Sequence, residues 1–415
     1  MKRFLFFLMI FAPMGGLLFA ESGFILHRDA DRLYVNVDGS ARLVNAPVKL
    51  KWSRRVQYDG PGRLLYYDTG RSGREIIRYE FRAGTVTKAP YPDDTGIRIL
   101  RSFLGYVPSL NTYLFAAIRS NGTERPFLMG RRGRAAFGAF RKYRYKINIT
   151  DTAADGSHVF VHNPSWSNRN ETRYGSRYYT NVLRGFRQFI YHRKGLKGSP
   201  RKLASAPAFY EPRLTDGGTR IVYIRPGKAD PARNRRGYVI ESVDVSGGAP
   251  RKVGEFETSI RKANRYEQNL PFMHVFKASP YLMYPARFGK DRRATTAWKV
   301  VNIRNGRTRA FRLPPKFFIA PNFPVSTRRD ANTLDRDGLH PYVVIYKVLG
   351  YDRATRKSDY EFRVIRVPDL KVVYRGSYKG GLHSAVYIPG DEYRSLPLEK
   401  KSGGGDIPPP PVDGF

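Results

Sequence analysis

The chain has 415 residues, no cysteine, and 74 Lys and Arg residues against 35 Asp and Glu, which gives a formal net charge of +39. The lack of cysteine excludes disulfides, thiolate metal sites and cysteine nucleophiles. Secreted eukaryotic proteins of this length usually carry disulfides, so the composition fits a bacterial envelope protein better. The charge favours anionic partners such as phospholipid head groups, wall polymer or nucleic acid; the alternative is a host whose envelope proteins are generally basic.

Residues 1–20 have the pattern of a secretory signal peptide. Two basic residues precede an apolar run, Phe4–Phe11, and the apolar stretch ends at Ala20 before polar sequence. We expect cleavage after Ala20 and export to the periplasm or the cell exterior. The alternative is an uncleaved anchor, but the run is short for a span of about 20 residues and is followed by Pro13. No later segment is apolar enough to span a bilayer, so no membrane span is expected after cleavage.

Short strands separated by turn formers recur along the remaining chain. Aromatic and β-branched residues between frequent Gly and Pro residues are typical of many short strands. The predicted hairpins and turn-then-strand units cover residues 32–44, 75–89, 125–137, 151–162, 186–203, 211–253, 298–311, 335–348 and 362–376. In the clearest copy, Gly247 and Gly248 can take positive φ in a hairpin turn. Asn305-Gly306 predicts a type I′ turn in a later copy.

The spacing of these units predicts an all-β fold, a β-propeller of about seven four-stranded blades, with six or eight open. Successive units are about 44 to 66 residues apart, the period of propeller blades. A β-solenoid or a pair of β-sandwiches is the alternative. The hairpin at 32–44 has no opening strand before it, and 383–390 is an orphan strand, so the two should form one composite blade. The predicted domains are a signal peptide (1–20), a propeller (23–396) and a disordered Gly/Pro-rich tail (397–415).

The copy at 211–253 resembles the repeats of TolB-like propellers, a bacterial periplasmic class. Asp216-Gly217 and Asp155-Gly156 match the Asp-Gly element of those repeats, and Gly247-Gly248 matches their close. The Ser-Pro that usually precedes the Asp-Gly is missing, and so is the α/β domain that precedes the propeller in the Tol-system protein. The resemblance implies a propeller in the envelope, and it implies no site residue.

Catalytic motifs are absent from the sequence. It contains no GxSxG, HExxH, P-loop or dinucleotide-type GxGxxG, and we expect no metal and no cofactor. His158 and His162 would lie about 13 Å apart on one strand face, which is poor metal-ligand geometry. Loop acids that could serve glycoside chemistry are Asp93, Asp94, Asp330, Asp335, Asp337, Asp391 and Glu392. Asp155, Asp216, Asp335 and Asp337 are explained more simply as turn formers whose side chains bond nearby N–H groups.

Clusters of arginine in predicted loops are the remaining signal. The candidate anion-binding residues are Arg131, Arg132, Arg134, Arg233, Arg235, Arg236, Arg292 and Arg293. Arg pairs with phosphate or carboxylate, and aromatic residues between the basic residues of the first cluster can stack on sugars or bases. If several of these loops share one face of the propeller, that face would bind anions. The alternative is that Arg on outer strands simply solvates the rim.

These observations predict an exported, non-enzymatic binding or scaffold module of the cell envelope. Its expected partner is an envelope protein or an anionic polymer, docked on a basic loop face. The alternative is an envelope hydrolase or lyase that acts on an acidic glycan. Nucleic acid is not the expected partner, and the sequence leaves the oligomeric state open.

Overall fold

The computed structural model describes residues 23–29, 32–37, 39–48, 54–58, 62–68, 75–90, 97–107, 112–119, 124–129, 147–153, 155–162, 187–195, 198–207, 209–230, 232, 235–259, 273–286, 297–320, 340–382 and 384–399. Within these residues there are 27 β-strands and two short 3-10 turns. None of the described segments is a helix long and apolar enough to cross a bilayer. The predicted signal peptide and the tail beyond residue 399 lie outside the described residues.

The strands are short and follow one another closely. In chain order they are β1 (Gly23–Asp29), β2 (Arg32–Val37), β3 (Ser40–Leu43), β4 (Arg54–Tyr58), β5 (Arg63–Asp68), β6 (Glu75–Glu80), β7 (Thr85–Pro90), β8 (Ile97–Val107), β9 (Thr112–Arg119), β10 (Glu124–Met129), β11 (Ile147–Thr152), β12 (His158–His162), β13 (Gln188–Arg193), β14 (Arg201–Ala206), β15 (Tyr210–Thr215), β16 (Arg220–Asp230), β17 (Arg235–Asp244), β18 (Arg251–Ser259), β19 (His274–Val275), β20 (Tyr281–Pro285), β21 (Ala297–Asn302), β22 (Thr308–Arg312), β23 (Phe318–Ile319), β24 (Tyr342–Asp352), β25 (Lys357–Arg366), β26 (Lys371–Gly380) and β27 (Ser384–Pro389).

These strands form seven antiparallel sheets. In chain order, sheet 1 has the strand order β27-β1-β2-β3, sheet 2 is β4 to β7, sheet 3 is β8 to β10, sheet 4 is β11 to β14, sheet 5 is β15 to β18, sheet 6 is β19 to β22, and sheet 7 is β23 to β26. Six of them have four strands, and sheet 3 has three within the described residues. Except for sheet 1, each sheet is a simple meander, so neighbouring strands are also neighbours in sequence.

Most sheets pack against the next sheet in sequence, and sheet 7 packs against sheet 1. Shared apolar cores join sheet 1 to sheet 2, and sheets 4, 5, 6, 7 and 1 in succession. β11 contacts β8 and β10, which joins sheet 3 to sheet 4. First strands also meet each other, β8 with β11, β11 with β15 and β15 with β19, so they line the centre of the ring. The protein is a β-propeller, as the sequence predicted.

Central strands are apolar on both faces because each sheet lies between two others. On β16, Val222 and Ile224 pack in the core shared with sheet 6. Ile221 and Tyr223, which alternate with them, pack in the core shared with sheet 4. A strand with period-two side chains therefore reads as a continuous apolar run when both of its faces are covered.

Sheet 1 closes the ring with strands from both ends of the described chain. β27 pairs with β1 from Gly23↔Pro389 to Arg28↔Ser384, which confirms the predicted composite blade. The prediction that no strand precedes the hairpin at 32–44 is wrong, because β1 is that strand. Three N-terminal strands therefore combine with one C-terminal strand. Pairing continues past β27, where Leu398 bridges Val44.

Two turns that contain glycine were predicted, and the structure confirms the backbone conformation predicted for one of them. Gly247 and Gly248 have φ of 108° and 110°, so the positive φ predicted at both is confirmed. In the later hairpin φ is positive at Gly306 and not at Asn305. A type I′ turn needs positive φ at both central residues, so the type I′ prediction is wrong. The turn instead spans four residues, with the Asn302 N–H donating to the Arg307 carbonyl.

Candidate anion-binding face

The antiparallel order gives the ring two faces. The Asp-Gly face carries the connections from first to second and from third to fourth strands, including Asp216–Thr219 and Asp244–Gly248. The hairpin face carries the connections from second to third strands, including the one between β24 and β25. Consecutive antiparallel strands run in opposite directions, so all connections of one kind share a face.

Most of the predicted arginines lie outside the described residues. Outside the described residues are Arg131, Arg132, Arg134, Arg233, Arg292 and Arg293. The strands that flank them are described. Arg233 lies between β16 and β17, and Arg292 and Arg293 lie between β20 and β21, so both connections leave from the hairpin face. β10, which precedes Arg131, ends at the Asp-Gly face. Arg235 and Arg236 begin β17, paired with Asp230 and Ala229.

Two hairpins extend beyond the inner strands at the hairpin face. β15 stops pairing at Tyr210↔Ile224, while β16 continues with β17 to Asp230↔Arg235. β23 stops pairing at Phe318↔Tyr346, while β24 continues with β25 to Asp352↔Lys357. Six further residues in each case extend about 20 Å past the inner strand. The ends of these hairpins therefore project past their own inner strands on this face.

The turn of the β24–β25 hairpin is rigid and basic. Asp352 accepts hydrogen bonds from the N–H groups of Ala354 and Thr355 and from the Thr355 hydroxyl, the last at 2.7 Å. The bonds from Thr355 lower the pKa of Asp352, so this carboxylate stays ionised. Arg353, Arg356 and Lys357 are exposed around it. These cations were not among the predicted anion-binding residues, although the run Arg353–Lys357 contains three cations and no acid.

Outer-strand arginines at the Asp-Gly face bind the next sheet. Arg251 of sheet 5 donates to the carbonyls of Ile303 and Arg304 in sheet 6. Arg309 of sheet 6 donates to the Pro368 carbonyl of sheet 7 at 3.2 Å. These arginines therefore do more than solvate the rim. Each one donates hydrogen bonds from its own sheet to the turn between the third and fourth strands of the following sheet.

Sheet 4 and the closing sheet show related contacts. Arg201 Nη1 lies 3.2 Å from the place that a Cβ atom would take at Gly247 of sheet 5. Between sheets 7 and 1, the Ser377 N–H donates to the Gly39 carbonyl at 3.1 Å. The Gly39 N–H donates to the Tyr374 hydroxyl. At four successive junctions, the fourth strand of one sheet therefore contacts the turn between the third and fourth strands of the next sheet.

Two buried acids, Asp151 and Asp216, are paired with cations of sheet 6. Asp151 of sheet 4 accepts a bond from the Leu214 N–H and lies 2.8 Å from the Lys277 ammonium of sheet 6. Both carboxylate oxygens of Asp216 accept from the Arg304 guanidinium, at 2.6 and 2.8 Å. The prediction that Asp216 bonds nearby N–H groups is therefore wrong, because its carboxylate serves a contact between sheets.

The remaining candidate acids have different outcomes. Asp155 accepts from the Ser157 N–H and hydroxyl, which confirms it as a turn former. Asp391, exposed after β27, lies 3.8 Å from the Arg394 guanidinium, and Glu392 begins the following 3-10 turn. The other loop acids lie outside the described residues: Asp93, Asp94, Asp330, Asp335 and Asp337.

Histidines are packed into the sheets. His158 and His162 stand on one strand, and burial lowers the pKa of His158 to about 4. Within the described residues no group of three or more His, Asp or Glu side chains could hold a metal ion. His27 lies between sheets 1 and 7, completely buried, with ring centroids of Tyr34 at 5.3 Å and Tyr378 at 4.3 Å. Burial lowers the pKa of His27 to about 3, so it is neutral at physiological pH.

Comparisons with known proteins found similar solved structures but no matching family. No family model and no curated protein matches the chain. Among solved structures, TolB from Acinetobacter baumannii is 12% identical, with a TM-score of 0.35, and the match covers 71% of this chain and 64% of TolB. A puromycin hydrolase is 14% identical, with a TM-score of 0.45, covering 92% and 57%. An oligogalacturonate lyase from Vibrio parahaemolyticus is 10% identical, with a TM-score of 0.43, covering 88% and 86%.

The sequence resemblance to TolB-like repeats concerns the fold. TolB is among the similar structures, and this chain spans less than two thirds of its length. The propeller assignment itself rests on the seven sheets and their packing.

Proposed function

We propose that the protein is an exported, non-enzymatic binding module of the bacterial cell envelope that docks an anionic polymer or protein on its hairpin face. The observation that carries this proposal is the pair of hairpins that project from sheets 5 and 7 on the same face. The turn of the second hairpin presents exposed cations. Convergent positive charge on one face attracts anionic partners and raises their rate of association.

The predicted arginines support the same face. The connection that contains Arg233 joins β16 to β17, the two strands of the projecting sheet 5 hairpin. The connection that contains Arg292 and Arg293 joins β20 to β21 of sheet 6, which lies between sheets 5 and 7 in ring order. On the opposite, Asp-Gly face, arginines such as Arg251 are engaged in contacts between sheets and are therefore less available to a partner. A binding role also agrees with the pairing of Asp151 and Asp216, which leaves these acids committed to structure.

Retention on an immobilised polyanion tests the proposal. The purified protein is loaded on dextran sulfate at low salt and eluted with a salt gradient. Arg233→Gln combined with Arg235→Gln, and separately Arg353→Gln combined with Arg356→Gln, should each elute at lower salt. A control removes the same charge from the Asp-Gly face by Arg307→Gln with Lys371→Gln.

The control separates a specific face from general charge. We expect the control to elute close to the wild-type protein, because its substitutions are on the other side of the ring. Affinity of the wild-type protein should fall steeply with salt, since binding releases condensed counterions. Equal shifts for all three variants would show that only net charge matters, and the hairpin face would then have no special role.

A further inference from the structure

The β24–β25 hairpin carries an apolar patch beside its basic turn. The described residues include only five large apolar side chains that are exposed, and three of them lie within four consecutive positions of β24. These are Val348, Leu349 and Tyr351, with exposed fractions of 44%, 57% and 60%. Such a cluster on a projecting hairpin marks a contact surface rather than scattered exposure.

Backbone geometry presents these side chains away from the ring. Val348 pairs with Tyr360, which still packs against the core shared with sheet 1. The ladder then skips Leu349 in a bulge and continues through Tyr351↔Ser358. A bulged residue is left unpaired, and the strand bends there, which accounts for the exposure of Leu349. Beyond Tyr360 the hairpin extends about 10 Å past the ring.

Cations surround the patch. Lys347 precedes it, Arg353, Arg356 and Lys357 follow it in the turn, and Lys379 lies on the adjacent strand, 3.8 Å from Asp352. Asp352 is held by the hydrogen bonds of the turn, so the turn keeps its shape when its cations bind a partner. The patch and the cations together form one amphipathic surface, which we call the sheet 7 hairpin surface (residues 347–357 with Lys379).

We propose that the sheet 7 hairpin surface binds the surface of an anionic phospholipid bilayer. Arg and Lys would contact lipid phosphates, while Leu349 and Tyr351 would enter the boundary between head groups and acyl chains. Leu is buried there, and Tyr favours that boundary because its ring is apolar and its hydroxyl is polar. A soluble polyanion would use the cations and leave the apolar side chains in water.

The size of the patch also favours a bilayer over a folded protein. A stable protein interface buries about 800 Å² on each partner, whereas the patch consists of three side chains at the end of one hairpin. A few apolar residues joined to basic ones are sufficient for reversible attachment to an anionic membrane. The inference rests on the proposed hairpin face, and it adds a lipid surface as the partner of one hairpin.

Vesicle binding provides the test. The purified protein is pelleted with vesicles of phosphatidylcholine alone and of phosphatidylcholine with 30 mol% phosphatidylglycerol (a composition chosen for the assay, roughly one anionic lipid in three). We expect binding only to the anionic vesicles. Arg353→Gln with Arg356→Gln should weaken it about 30-fold, since each cation near the surface contributes about fivefold. Leu349→Ser with Tyr351→Ser should weaken it on the order of tenfold or more.

A matched control and a fluorescence reading separate insertion from folding defects. Val86→Ser with Val372→Ser removes exposed apolar side chains elsewhere and should leave binding unchanged; each of these valines is 41% exposed. The chain has no cysteine, so Leu349→Cys can carry a single environment-sensitive fluorophore. Its emission should rise on anionic vesicles, and the same label at Val372→Cys should not respond.

The outcomes distinguish this inference from the proposed function. Retention on dextran sulfate without binding to anionic vesicles would overturn the lipid proposal and leave the hairpin face in place. Unchanged vesicle binding by Leu349→Ser with Tyr351→Ser would overturn the apolar contact. A label that responds to envelope proteins and not to vesicles would assign the surface to a protein instead. If the wild-type protein is neither retained on dextran sulfate nor bound to anionic vesicles, both proposals are refuted.

Discussion

Mild acid should weaken the protein at the seam where the ring closes. His27 of β1 is completely buried between sheets 1 and 7, against Tyr34, Phe362 and Tyr378. Neither ring nitrogen has a hydrogen-bond partner. Burial lowers its pKa from 6.5 to about 3, because an imidazolium ion in this apolar site would lose its hydration.

The sign of the effect follows from proton uptake. Below pH 6.5 the unfolded chain protonates this histidine, whereas the folded protein does not do so until the pH approaches its own lower pKa. Stability is therefore fully present above pH 6.5 and is lost as the pH falls from 6.5 towards 3. One pH unit within this window costs about 1.4 kcal/mol, so moving from pH 7.5 to pH 5 costs about 2 kcal/mol from this residue alone.

A variant without the histidine isolates this contribution. The free energy of unfolding in urea is measured at pH 7.5 and pH 5 for the wild-type protein and for His27→Phe, with His27→Leu as a second variant in case the larger ring does not fit. The loss on acidification should be about 2 kcal/mol smaller in the variant. Burial also lowers the pKa of His158, so this residue contributes a further loss of folding stability in acid. That loss is the same in the wild-type protein and in the variants.

Hydrogen exchange locates the change. Amides of β1 and β27 should lose protection at pH 5 before those of sheet 5, after correction for the intrinsic exchange rate. An identical acid loss in the wild-type protein and both variants would refute the reasoning, because it would mean that His27 is accessible to protons in the folded state.

Other predictions concern contacts between sheets and turn glycines. Arg251→Ala should lower the free energy of unfolding by about 1 kcal/mol, since two carbonyls of sheet 6 lose their donor; urea unfolding measures this, and no change would mean that water replaces the guanidinium. Asp216→Asn should cost about 1–2 kcal/mol by removing the charged bonds to Arg304, and Asp216→Ala should cost more, because φ is +56° there; equal costs would argue against a backbone contribution. Gly247→Ala and Gly248→Ala should each cost about 1–3 kcal/mol at positive φ, with the larger loss at Gly247, beside a guanidinium; thermal unfolding of both variants checks the order.

The arginine contacts give part of the basic composition a structural purpose. Arg251 and Arg309 are exposed, yet each donates to carbonyls of the following sheet. A ring of sheets is held by contacts between neighbours only, so a contact that recurs at the same place strengthens every junction it occupies. The guanidinium suits this place because it has several donors in a fixed plane and stays charged.

Sequence alone determined the strand pattern, the repeat and the composite closing sheet. The alternating apolar residues of β16 reflect burial on its two faces, and Gly247 and Gly248 reflect a local backbone requirement for positive φ. The orphan strand at 383–390 could be recognised by its apolar run. A first strand at 23–29 was missed because it follows the predicted signal peptide directly. The type I′ turn was wrong because the dipeptide Asn305-Gly306 does not fix the loop length, which the pairing of β21 with β22 decides.

Only the tertiary structure decided what the charged residues do. Asp216 and Arg304 are 88 positions apart, and Asp29 and Tyr378 are 349 apart, so no local pattern shows that they meet. The exposure of Leu349 and Tyr351 likewise depends on the β24–β25 hairpin extending past β23, whose pairing with β24 stops at Tyr346. Spacing along the chain reports which face a side chain occupies, whereas the ring determines which neighbour lies opposite that face.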